Sequence, residues 1–73
     1  MVRRDYHNHT LEQAMRDADA LIDGIRMSGN TEDCEFIVGH GVIRDILMAN
    51  LRSYGFVPSA QLGNSGVIVC TIE

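Results

Sequence analysis

The chain has 73 residues, 45% of them hydrophobic, and a formal net charge of −4 at pH 7. That length fits a single domain, 1–73, built around one modest core, and no low-complexity tract or internal repeat interrupts it. The acidic balance argues mildly against nucleic acid as a partner, because such binders usually carry a basic footprint. No apolar run is long enough to span a membrane and no signal-type stretch is present, so a cytoplasmic location without a membrane partner is expected.

Val2 to Tyr6 reads as a short first strand with alternating side chains. Thr10 then opens a helix through a capping box with Gln13. Leu11, Ala14, Met15, Ala18, Leu21, Ile22 and Ile25 form one apolar stripe at helical spacing. Gly29 is the expected stop, and the polar run through Asp33, including Glu32, reads as a solvated loop. Glu35 to Val38 is the second strand, and Gly39-His40-Gly41 turns the chain into a second helix. Its stripe is Val42, Ile43, Ile46, Leu47, Leu51 and Tyr54, and Gly55 ends it. Phe56 to Leu62 is the third strand, Gly63-Asn64-Ser65-Gly66 a tight turn, and Val67 to Ile72 the fourth strand.

The order βαβαββ constrains the sheet. Pro58 places the third strand at an edge, because it cannot donate to a ladder on both sides. The polar first strand suits the other edge, and the apolar fourth strand a central position. A β-α-β unit makes strands one and two parallel, while strands three and four form a hairpin. The expected fold is an α/β (α+β) two-layer sandwich with sheet order 1-2-4-3. Right-handed crossovers put both helices on one face. The other face is open, yet Ile68, Cys70 and Ile72 lie on the opposite side of the fourth strand from Val67 and Val69, and a sheet apolar on both sides suggests a homodimer through the open face.

The chain has two cysteines, Cys34 and Cys70. They lack metal-ligand spacing and read as structural free thiols. All six basic residues are arginines, at positions 3, 4, 16, 26, 44 and 52. Arginine suits bidentate phosphate contacts, so a local basic edge on an acidic body is compatible with the composition.

Two polar clusters contain every histidine: Asp5-Tyr6-His7-Asn8-His9-Thr10 and Gly39-His40-Gly41. Each falls where a strand ends and a helix begins, a common ligand position in α/β folds. If strands one and two are parallel neighbours, Asp5, His7 and His40 share one sheet edge with two helix N-termini, which suits an anion such as phosphate. Two imidazoles beside a phosphate can divide acid and base work, with Asp5 orienting a ring. A plainer alternative is that Asp5 and His7 cap the strand end and pair with arginines. His7-x-His9 with Asp5 also has metal-ligand types, so a divalent metal stays open although no cofactor is expected.

Taken together, these residues resemble the Smr (small MutS-related) domain family. Asp5-Tyr6-His7-Asn8-His9-Thr10 matches the family's D-L-H-G-x-T at Asp, His and Thr. Val38-Gly39-His40-Gly41 followed by Val42-Ile43-Arg44 partly matches its H-G-x-G motif and Val-Leu-Arg start. Gly63-Asn64-Ser65-Gly66 with the strand from Val67 matches its G-x-S-G ending. Asn8 stands where the family has glycine, and Val38 where the second motif has histidine. The resemblance implies the fold of the C-terminal domain of translation initiation factor 3. It also implies nucleic-acid binding and an endonuclease that nicks DNA or RNA phosphodiesters. In that reading Asp5, His7 and His40 are catalytic, while Arg3, Arg4, Thr10, Gly39, Gly41 and Arg44 bind the phosphate or nucleic acid. The alternative is a non-catalytic interaction module that dimerises and has lost nuclease activity.

Overall fold

Capping and apolar spacing build both helices. The computed structural model describes residues 1–73. Thr10 accepts from the Gln13 amide, and the Gln13 side chain accepts from the Thr10 amide, so the box starts α1 (Leu11–Ser28). Ala14, Ala18, Ile22 and Ile25 are its buried stripe. Gly29 ends it at φ 75°, a left-handed conformation that glycine adopts without a Cβ clash.

Helix α2 (Val42–Ser53) buries Leu47 and Leu51, with Ile43 and Tyr54 packed at the core margin. Val42 and Ile46 are exposed, at 62% and 43%. They lie one residue, roughly 100°, around the helix from Ile43 and Leu47, so the core stripe is narrower than the expected one.

The strands are β1 (Val2–Asp5), β2 (Glu32–Ile37), β3 (Ser59–Gln61) and β4 (Asn64–Ile72). Their order is β1-β2-β4-β3, with β1 parallel to β2 and both other pairings antiparallel. This is the expected topology, with β1 and β3 at the edges. Cys34, Phe36, Val38, Ile68, Cys70 and Ile72 form one core with the helix stripes, so both helices cover the same sheet face. Only 17 of the 73 residues are buried, so each core side chain carries a large share of the stability. Cys34 and Cys70 are free thiols in that core and stand opposite each other across the β2–β4 ladder. Burial pushes the Cys34 thiol up to about 11 and raises Cys70 as well. No helix is long and apolar enough to cross a membrane.

All four strands differ from expectation at one end or both. β1 ends at Asp5, although the Tyr6 ring continues the alternation into the core and its amide still donates to the Ile37 carbonyl. β2 begins at Glu32 rather than Glu35: Glu32 and Asp33 pair with Ile72 and Thr71, and Asp33 accepts from the Thr71 hydroxyl at 2.8 Å. A long neighbouring strand thus overrides local polarity. β3 shrinks to Ser59–Gln61, since Phe56 donates its amide to Leu51 and stacks on Tyr54 instead of joining the ladder. β4 begins at Asn64, so the hairpin turn is Leu62-Gly63, with Gly63 at φ 82°. No non-glycine residue has positive φ, so this turn lacks the mirror-image geometry that matches strand twist, and the ladder shifts register between Ala60 and Gln61.

The sheet face away from the helices is mixed rather than uniformly apolar. Val67 and Val69 lie on it, but Arg3 and Glu35 form an ion pair there at 2.9 Å. The Thr71–Asp33 hydrogen bond adds a second polar row. Glu35 is the one charged residue among the buried set, and Arg3 is its partner.

Candidate functional site

Register brings the two polar clusters to one edge of the sheet. Asp5 ends β1 directly opposite Ile37, which ends β2, and the Tyr6 amide donates to the Ile37 carbonyl at 2.8 Å. The His7 and His40 loops therefore leave neighbouring strand ends, and α1 and α2 begin just beyond them. The positive ends of both helix dipoles lie at this edge.

Tyr6 anchors the first loop. Its buried ring stacks on Phe36 at 5.8 Å, and its hydroxyl donates to Asp17 at 2.5 Å. Burial and the Asp17 carboxylate together push the phenol well above its ordinary range. The His9 amide donates to the Tyr6 carbonyl at 2.9 Å, and the His9 ring meets the Tyr6 ring edge-on. Asp5 Oδ1 accepts from the His7 amide at 3.1 Å and pairs with His7 Nδ1. These bonds, the ring contact first, hold the Asp5 carboxyl below its ordinary value. Thr10 uses its hydroxyl as the α1 cap.

The second loop is tied to the start of β4. Val38 and Gly39 both donate to the Gly66 carbonyl, at 2.9 and 3.0 Å. Gly39 takes φ 66°, which favours glycine. His40 Nε2 lies 2.7 Å from Ser65 Oγ, and Arg44 Nε donates to the Ser65 carbonyl at 3.1 Å. A Cβ on Gly66 would meet His40 Cε1 at 3.3 Å, so the ring lies against the bare backbone there. Gly41 precedes α2 without any side-chain cap.

The expected site residues are thus divided. Asp5 and His7 form one pair, and His40 and Arg44 belong to a second cluster completed by Ser65 and Gly66. Arg3 and Arg4 are placed elsewhere: Arg3 on Glu35 across the open face, and Arg4 on Asp17 of α1 at 3.3 Å. No three His, Cys, Asp or Glu side chains gather as a metal-ligand group, so Asp5, His7 and His9 do not converge. None of the four surface concavities is lined by His7 or His40, so the edge is an open surface and not a pocket. Sequence reasoning overlooked Ser65 as a site residue, since Gly63-Asn64-Ser65-Gly66 reads as a turn. Its only signal was the match to the G-x-S-G ending.

Comparison with solved structures places this architecture. The chain aligns with the Smr domain of Thermus thermophilus MutS2 over 100% of its own length and 99% of that chain, with a TM-score of 0.75. The fold is that of an Smr domain. Sequence identity is 20%, so the likeness lies in the backbone. No protein-family model matches the sequence, and no curated protein aligns with it. The Smr fold explains why two distant polar clusters meet: its parallel β1–β2 pair sends both loops from one edge.

Proposed function

We propose that this Smr-fold domain binds a nucleic-acid phosphodiester at the joined ends of β1 and β2 and cleaves it by acid–base chemistry. The pairing of Asp5 with His7 carries the reading. Asp5 accepts from Nδ1–H, which fixes the neutral tautomer and leaves Nε2 free to take a proton. His40 is the second imidazole. Gly39 and Gly41 let a phosphate approach the backbone, and the uncapped start of α2 offers amide donors. Arg44 brings a guanidinium to the same residue as His40, since both contact Ser65.

In RNA, one imidazole takes the 2′-hydroxyl proton as that oxygen bonds to phosphorus. The other protonates the leaving 5′ oxygen as its P–O bond breaks. In DNA, water replaces the 2′-hydroxyl. Incubation with single-stranded RNA, duplex DNA and branched DNA tests the proposal. Wild-type protein should cleave at least one substrate, and His7→Ala should lower the rate about 100-fold or more. Equal cleavage by the variant would identify a contaminant and end the catalytic claim.

A second reading, a non-catalytic module that self-associates through the open sheet face, is favoured by charge. The chain is acidic, and Arg3, Arg4, Arg16 and Arg44 are all paired with carboxylates. That reading predicts no salt-dependent nucleic-acid binding and a stable oligomer by sedimentation.

A further inference from the structure

The two histidines of the shared edge are held by opposite ring nitrogens. Asp5 takes Nδ1 of His7, whereas Ser65 takes Nε2 of His40 at 2.7 Å. Ser65 is itself held firmly. Its carbonyl accepts from Arg44 Nε, the next carbonyl accepts from Val38 and Gly39, and the Gly66 amide donates to Asn64 Oδ1 at 3.1 Å. The His40 ring rests against Gly66, where a Cβ would crowd it. An exposed histidine normally samples several rotamers, but this one has its distal nitrogen bonded and its Cε1 set close to Gly66.

We infer that Ser65 is a positioning residue for His40, holding Nε2 so that Nδ1 is the nitrogen presented to a bound phosphate. The inference rests on the proposed phosphodiester site and adds to it a residue and an atom. His7 would then work through Nε2 and His40 through Nδ1. Arg44 contributes through the loop as well as through its charge, since its Nε is committed to the Ser65 carbonyl.

Long-range proton–nitrogen NMR correlations of the three imidazoles test this directly, without reference to cleavage. The spectra compare wild type, Ser65→Ala and Ser65→Thr on neutral rings, with and without inorganic phosphate. In wild type, phosphate should move the His40 Nδ1 signal more than its Nε2 signal. Ser65→Ala should shift both His40 nitrogens toward the averaged values of an unrestrained ring, and Ser65→Thr, which keeps the hydroxyl, should restore them. His7 signals should stay in place in both variants, which also reports an intact fold. Gly66→Ala keeps Ser65 but crowds the ring, so it should perturb His40 alone and serves if Ser65→Ala fails to fold. Unchanged His40 nitrogens in both Ser65→Ala and Gly66→Ala, or phosphate acting on Nε2 in wild type, would overturn the inference. Loss of cleavage activity with the Ser65 dependence retained would instead count against the proposed function alone.

Discussion

Two loops leave the same sheet edge, yet they are secured by different kinds of contact. In the β1–α1 loop the polar contacts beyond Tyr6 are local, Asp5 with His7 and Thr10 with Gln13, while Tyr6 alone ties the loop to Ile37, Phe36 and Asp17. The β2–α2 loop is held from 25 or more residues away, by Ser65 on His40 and by Gly66 on Val38 and Gly39. The Asp5–His7 pairing is a property of a short segment. The second arrangement exists only when β4 lies beside β2, so its geometry reports the whole fold.

Damage to the core separates the two most sharply. Phe36 is fully buried in β2, stacks on Tyr6, and sits one strand from Ile68. Phe36→Ala should cost about 3–5 kcal/mol, read as a lower urea midpoint. A small domain of about 5 kcal/mol total stability would then be largely unfolded. Through the urea transition, His40 should lose its Ser65 contact together with the global fold. Asp5 and His7 stay two residues apart in the unfolded segment, where they meet only transiently. A loss below about 1 kcal/mol would mean that Phe36 is not a main support of the core.

The same division explains what could be read from residues alone. Sheet order was legible because Pro58, the polar β1 and the apolar β4 each restrict position by hydrogen bonding or burial. The Thr10–Gln13 box was legible because its partners are three residues apart. Ser65 was not, because the serine of Gly63-Asn64-Ser65-Gly66 looks like any turn residue until the fold brings His40 to it. Arg3 and Arg4 looked available for phosphate, since neither Glu35 nor Asp17 is near them in sequence. The strand status of Glu32 and Asp33 was hidden for the same reason, as their partners are Ile72 and Thr71.

A gentler change sharpens the contrast without unfolding anything. Gly66→Ala places a methyl 3.3 Å from His40 Cε1 and 3.4 Å from Gly39 Cα. The exposed ring can yield, and alanine in a strand offsets some of the crowding, so stability should stay within about 1 kcal/mol of wild type. Denaturation curves should nearly overlay, while any cleavage that needs His40 falls. Unchanged cleavage in Gly66→Ala, beside a fall in His7→Ala, would assign the chemistry to the first loop alone.

The smallest effect belongs to the first loop and appears in acid. Hydrogen bonds from the His7 ring and amide, with the nearby charges of His7 and His9, lower the Asp5 carboxyl from its ordinary 3.8. A depressed carboxyl contributes stability above its unfolded value and loses it as pH falls through the folded value. Asp5→Asn should therefore be less stable than wild type near neutral pH. The two should converge at pH values below the ordinary 3.8. Both groups are exposed, so the difference should be small and should shrink in high salt. Urea midpoints measured across the acid range check the sign. A difference that grew as pH fell would mean that Asp5 is held by something other than its bonds to His7. A matching difference in Ser65→Ala would show that the two loops are not independent after all.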